Sequence, residues 1–423
     1  MPELGAPPPS ESEDLDARIV AFYLPQYHPI PENDLWWGEG FTDWTNVRRA
    51  TPVFEGHNQP RIPTSLGYYD LRNLETHHSQ AALARAHGVA AFCYYAYWFG
   101  GRRLLEAPLD IVGANPDLAM PYLICWANEP WSRRWDGGNG EVLMAQQHHP
   151  AGDAGFIDEF ATHMADSRYL RIDGRPLLLI YRARLLVDPR RTTDGLRERA
   201  LALGLGDLYL AMVQSFDDRD PRPLGFDAAV EFPPHGLWPR RSASSRLVVP
   251  RVGFRGSLLD YRAVVSASLS KAPPPYPWFR GVMPGWDNTP RRGMDAKVFI
   301  GSSPETFRAW LEETLRFTYT FRRGSERLVF INAWNEGAEG AYLEPDVSDG
   351  NLNLEAVASA LRSTRASSQG ITQMSDGVRG DAHIEALRRE WRRGVMRPGP
   401  PDLTARISQR VAGLVKRALR RCR

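Results

Sequence analysis

Apolar residues in this chain fall in short unbroken runs rather than in alternation, and the runs recur along most of its length. Eight stand out, over 19–25, 89–95, 120–126, 176–181, 208–213, 228–232, 281–286 and 328–331. A strand covered on both faces needs apolar side chains at successive positions, so such runs predict a parallel sheet buried under helices. Between them the spacing predicts helices over 73–88, 154–166, 192–204, 304–320 and 351–363. Eight strands, each followed by a helix or a long loop, predict an α/β fold of the (β/α)8 barrel type over residues 18–365. A doubly wound sheet is the alternative. It would carry a Gly-rich phosphate turn after an early strand, and the chain has neither GxGxxG nor a P-loop.

Two stretches interrupt the pattern. Residues 28–67 form a long loop rich in Trp, Gly and Pro, and residues 236–278 read as an insertion with basic and Pro-rich parts. Long loops at the C-terminal ends of barrel strands are where such folds build their sites. Outside the barrel, the acidic, Pro-rich residues 1–17 read as a disordered leader. Residues 366–423 read as a linker and a helical tail, with the Ser/Gly-rich linker over 364–380.

In the tail, Leu403, Ile407, Val411, Leu414, Val415 and Ala418 recur at helical spacing among basic residues. From Pro401 to Arg423 there are seven Lys/Arg against one Asp, although the whole chain of 423 residues carries a formal charge of only +2. A basic amphipathic helix over 403–421 suits either an anionic membrane surface or packing against the barrel. The start of the chain has no apolar signal region, and no run approaches the length of a membrane span. Cys93, Cys125 and Cys422 are few and odd in number, which fits a reducing compartment. A cytoplasmic protein is expected, with peripheral membrane contact through 403–421.

The strand ends carry the candidate chemistry. The first run leads into Gln26, Tyr27 and His28, then Trp36, Trp37, Asp43 and Trp44. The second ends in Tyr95, Tyr97 and Trp98, and the third in Trp126, Asn128, Glu129 and Trp131, followed by Arg133 and Arg134. The sixth contributes Glu231 and His235, and the seventh Trp286 and Asp287. The eighth leads into Trp334, Asn335, Glu336, Glu339 and Glu344. Aromatic faces stack on the CH groups of sugar rings, while amides, carboxylates and imidazoles take the hydroxyls, so this clustering predicts a glycan site. Thirteen Trp in the chain fit that reading as well as ordinary core filling.

Cleaving a glycosidic bond needs a proton donor for the leaving oxygen and a second carboxylate. Glu336 and Glu339 are the candidates, with Glu129 a third; the bland alternatives are rim salt bridges and, for Glu129, an ion-pair network with Arg133 and Arg134. His28, His57 and His235 lack metal-ligand spacing, so neither a metal nor another cofactor is expected. No nucleic-acid partner is expected either.

Five segments together resemble a family: FYLPQYHP, WWGEGFTDWTNV, FCYYAYWF, WANEPWSRRWDG and WNEGAEGAYLEPD. They are similar to the WbsX-type, glycoside hydrolase family 99-like proteins of bacterial surface-polysaccharide gene clusters. The resemblance covers about residues 18–365 and implies a (β/α)8 barrel acting on a mannose-like glycan. It implies an Asn-Glu-x-x-Glu-Gly catalytic motif, here Asn335 to Gly340. Glu336 would be the base that takes a proton from the sugar 2-hydroxyl, giving a 1,2-anhydro intermediate. Glu339 would protonate the leaving group. One position departs from the family: Gly337 stands where a Trp is usual, and the missing ring is expected to open a subsite.

Two rival readings stand beside hydrolysis. One is a WbsX-type glycosyltransferase in the assembly of O-antigen or exopolysaccharide, for which Asp217, Asp218 and Asp220 are a weak DxD-like signal. The other is a non-catalytic glycan-binding barrel. The expected partner is an oligo- or polysaccharide, lipid-linked if the tail meets a membrane.

Overall fold

The computed structural model describes residues 16–133, 140–216, 220–238 and 248–373, with side chains through Arg365. The predicted tail over 403–421, almost all of the leader, Arg134, Asp217, Asp218 and Cys422 lie outside the described residues.

Eight parallel strands close into a barrel: β1 (Arg18–Tyr23), β2 (Val89–Trp98), β3 (Tyr122–Trp126), β4 (Arg175–Ile180), β5 (Tyr209–Gln214), β6 (Ala228–Glu231), β7 (Trp278–Val282) and β8 (Leu328–Ile331). Each pairs with its sequence neighbour, and β8 pairs with β1 from Arg18↔Leu328 to Ala21↔Ile331, which closes the cylinder. Every residue of β3 and β8 is buried, as the continuous apolar runs require. Inside the barrel, Phe22 sits edge-on to Phe232 (4.9 Å between centroids) and packs with Tyr95 and Phe330. These rings fill the interior, so the open space lies above them, at the C-terminal ends of the strands.

The predicted helices are present with small shifts, as Leu74–Ala86, Gly155–Ala165, Pro189–Ala202, Pro304–Phe321 and Leu352–Gln373. The last continues beyond 363, so the first ten positions of the predicted Ser/Gly-rich linker (364–373) are helical. Strand β7 begins three residues before the predicted run. Arg280, in its middle, is buried through an ion pair with Glu231 (2.7 Å) and bonds to Ser268, so a charged residue disguised a buried strand.

The long loop after β1 is not structureless. It contains two seven-residue helices, Pro31–Trp37 and Asp43–Arg49; the second starts with a capping box between Thr42 and Thr45. The insertion before β7 supplies the helix Tyr261–Ser270 and the strand Ser257–Asp260, which pairs in parallel with Lys297–Ile300 beyond β7. Val53, Leu258, Ala296 and Val298 bury one face of that small sheet, and so anchor the loop after β7 to the loop after β1.

By contacts, the described barrel is one compact unit, reaching Ser270 and resuming from Pro275 to Ile371, with Lys271–Pro274, Thr372 and Gln373 outside it.

Candidate active site

A cavity of about 640 Å³ opens at the C-terminal ends of the barrel strands. Of the residues singled out in the sequence, Tyr95, Tyr97, Glu129, Trp131, His235, Trp286, Glu336 and Glu339 line it. Alternation along β2 explains the tyrosines: Tyr95 and Tyr97 face inward, while Tyr94 packs outward against Tyr122.

The two glutamates meet on one cation. Arg291 donates from Nη1 to Glu339 (2.7 Å) and from Nη2 to Glu336 (3.2 Å), and Nη2 also reaches Asp43 (3.0 Å). Three segments far apart in sequence therefore converge: the helix Asp43–Arg49, the short helix Thr289–Arg292 after β7, and the turn after β8. Glu336 is buried, whereas Glu339 keeps 23% of its side-chain surface on the cavity.

Burial and the neighbouring Glu339 push the Glu336 carboxyl up to about 8, with Asp43 adding to the rise and Arg291 opposing it. Glu339 is raised by burial, with Arg291 opposing the rise and Asp43 adding to it. Arg291 stays protonated because its three carboxylates outweigh the cost of burial. Two carboxyls this close cannot both ionise cheaply, so the pair holds a proton at neutral pH, as an acid/base pair requires. That proton favours Glu336, whereas the roles implied by the resemblance need it on Glu339. The shorter Arg291 bond to Glu339 points the same way as the Glu336 value.

Several predicted residues support the site from behind. Tyr27 donates to the Asn335 carbonyl (2.5 Å) and accepts from the Gly337 N–H (3.1 Å). The Asn335 side chain is fixed by the backbone of Leu24, accepting from its N–H at 2.7 Å and donating to its carbonyl at 3.0 Å. Trp44 donates to the Tyr69 carbonyl. Asn128 clamps the backbone of Arg182 through both its amide groups. Asp287 is buried beneath Trp286, bonded to His57 and Gln59.

Others lie away from the cavity. Glu231 follows the barrel alternation outward to Arg280, while its neighbour Phe232 lines the cavity. Trp98 and Trp126 pack against Phe156 in the helical layer, and Trp334 is buried against Phe92. Glu344 is buried with Tyr69 (2.8 Å) and Gln80 (2.7 Å), and burial lifts it to about 7. His28 is buried, and burial lowers it to about 4. Trp36 and Trp37 are half-buried at the rim, where Trp36 meets Trp131 edge-on and Arg133 lies over Trp37.

Glu129 pairs with Arg182, not with Arg133, whose partner is Glu141. Gly337 does not open onto the cavity either. A Cβ there would point at the Tyr27 hydroxyl (3.2 Å), Val47 (3.5 Å) and Trp44 (3.9 Å), so the expected subsite is filled by the loop after β1.

Arg291, Arg292, Asp295 and Lys297, together with Tyr181, Phe216, Phe232 and Trp238, also line the cavity and were not evident in the sequence. Tyr181 and Phe216 stand at the ends of β4 and β5, so a uniform reading of all eight strand ends would have found both. His235 lies between Phe216 and Trp238, and burial lowers it to about 4, leaving it neutral. Among the described residues no group of His, Cys, Asp and Glu is arranged to hold a metal ion, and no helix is long and apolar enough to cross a membrane.

Residues 19–357 match the model of the family described as "Glycosyltransferase WbsX", and the chain belongs to that family. Two proteins named WxcX, from two strains of Xanthomonas campestris pv. campestris, are 48% and 47% identical over 355 residues, 84% of this chain and 50% of theirs. The chain thus spans about half the length of these curated relatives. Among solved structures, a glycoside hydrolase-like protein aligns with a TM-score of 0.54 at 15% identity, over 85% of this chain and 97% of that one. The glycoside hydrolase family 99 endo-α-mannosidase of Bacteroides thetaiotaomicron gives 0.52 at 15% identity, over 84% and 99%. At that identity the likeness is one of fold.

Proposed function

We propose that this WbsX-family chain is a carbohydrate-active enzyme that cleaves or transfers at a mannose-like glycosidic bond of a surface polysaccharide, through Glu336 and Glu339. The observation that carries the reading is the pair itself: a buried carboxyl and a part-buried one on the same guanidinium, lining a cavity walled by Tyr95, Tyr97, Trp131 and Trp286.

The rings offer apolar faces to sugar CH groups, and burial supplies the proton that the leaving oxygen needs. Once the shared proton passes from Glu336 to Glu339, ionised Glu336 takes the proton of the sugar 2-hydroxyl. O2 closes on C1 as the C1–O bond breaks, and Glu339 protonates the departing oxygen. Water then opens the 1,2-anhydro ring at C1, returning one proton to Glu339 while O2 recovers its proton from Glu336. An acceptor hydroxyl in place of water gives transfer through the same two carboxyls, and the family description favours keeping transfer as the second reading. A lipid-linked glycan and contact of the tail with a membrane belong to the same proposal.

Incubating the full chain with lipid-linked or surface polysaccharide from the producing cell, with and without nucleotide sugars, tests it. Release of glycan without nucleotide sugar supports cleavage. Incorporation of label from a nucleotide sugar, with no release, overturns it in favour of a nucleotide-sugar transferase.

A further inference from the structure

Arg291 lies in a basic Pro-Arg-Arg turn, yet its side chain keeps only 9% of its exposure, and three carboxylates from two other segments close on it. Burying a guanidinium is expensive unless every charge around it is matched and bonded. Here the carboxylates outnumber the cation, so the cluster does more than neutralise an arginine. Its two terminal nitrogens divide the work: Nη1 donates to Glu339, while Nη2 is shared by Glu336 and Asp43.

We infer that Arg291 is a positioning residue that bridges the two catalytic carboxyls, so that negative charge passes between Glu336 and Glu339 without leaving the same guanidinium. The inference rests on the function proposed above. In the first half-reaction Glu336 begins ionised and ends protonated, while Glu339 begins protonated and ends ionised. The net movement is one negative charge from the Nη2 side of Arg291 to its Nη1 side. A cation already bonded to both ends stabilises the charge before and after, with little reorganisation. In the second half-reaction the charge returns.

The surroundings fix this arrangement. Asp43 is oriented by the Asn46 amide (3.1 Å) and keeps Nη2 divided between two acceptors. The Asp287 carboxylate accepts from the Thr289 N–H (3.0 Å) and so anchors the start of the short helix that carries Arg291. From β2, Tyr97 faces the cluster; burial raises its phenol, which leaves it neutral across the working range. On its own loop the adjacent charge is Arg292, beside Asp295. Tyr27, Tyr95 and Tyr181 face the same carboxylates, and burial raises each of these phenols as well.

The test is a carboxyl ¹³C titration of the full chain labelled at Glu, with E336Q and E339Q used to assign the two signals, in wild type, R291M and D43N. Removing the cation should move the Glu336 and Glu339 titrations up by about 1–2 pH units, and removing the competing carboxylate should move Glu336 down. Unchanged titrations in the folded variants overturn the inference. If circular dichroism shows R291M unfolded, D43N decides alone: a downward move of Glu336 supports the shared guanidinium, and no move overturns it. The activity readout is R291K, which keeps the charge but cannot span both carboxyls: a changed pH–rate profile is expected, and a wild-type profile overturns the bridging role. The titration needs no substrate, whereas the glycan-release assay tests the function itself, so the two failures are not confused.

Discussion

The backbone N–H of Asp287 donates to the carbonyl of Glu339 across 2.6 Å, joining the loop after β7 to the turn after β8. Its carboxylate accepts from Gln59 (2.5 Å) and His57 Nε2 (2.7 Å); His57 Nδ1 accepts from the Val53 N–H, so Nε2 carries the proton. One buried residue thereby sets the separation of the segments that carry Arg291 and Glu339.

Replacing Asp287 by Asn puts an N–H₂ among groups that already donate. The expected cost is about 1–3 kcal/mol in urea denaturation at neutral pH. Burial alone would raise the Asp287 carboxyl, but its bonds to His57, Thr289 and Gln59 prevail and hold it below the ordinary 3.8. Its contribution is therefore present above 3.8 and lost as pH falls through the folded value, so wild type and D287N should converge in acid.

Glu336 has the opposite sign. Folded, it holds its proton up to about 8; unfolded, only to about 4.5. Between those values the native state binds the extra proton, so stability falls as pH rises and then levels off. E336Q should remove this part of the slope and leave the protein about 1–3 kcal/mol more stable at alkaline pH, a common gain when a strained site residue is neutralised. Melting temperatures of the two proteins across that range check it; parallel curves would contradict the raised carboxyl.

Glu344 sits among Tyr69 and Gln80, away from the cavity. E344L would strand both partners without an acceptor, so a loss of about 2–4 kcal/mol is expected in urea denaturation. E344Q, which keeps an amide in place, should lose less.

Placing at Gly337 the Trp that the resemblance to family 99-like proteins implies should not build a subsite wall. The Cβ direction leads into Tyr27, Val47 and Trp44, so G337W is expected to cost about 1–3 kcal/mol through overpacking. A thermal melt no lower than wild type would show that this pocket can take the ring.

Most of the barrel was legible because strands buried on both faces leave no room for polar residues, and the eight runs carry that mark. Strand β7 was shifted because Arg280 breaks its run, and the partners that make that arginine buriable, Glu231 and Ser268, are 49 and 12 residues away. The helices at 31–37 and 43–49 are too short for an apolar periodicity to show. The glutamates were visible from their spacing and from the resemblance. Arg291 was not, because Pro290-Arg291-Arg292 reads as a solvated basic turn until three distant carboxylates meet on it. The outward residues Trp126 and Glu231 were misread for a simpler reason: a strand end offers its side chains alternately to the cavity and to the helices.

If Glu336 and Glu339 carry the chemistry, neither can be replaced by its amide without loss of glycan release. The most direct measurement compares glycan release by wild type, E336Q and E339Q from the same polysaccharide, without nucleotide sugar and at matched folded concentration. Release by wild type and a loss of at least about a hundredfold in each variant are expected. Release at the wild-type rate by either variant would contradict that assignment.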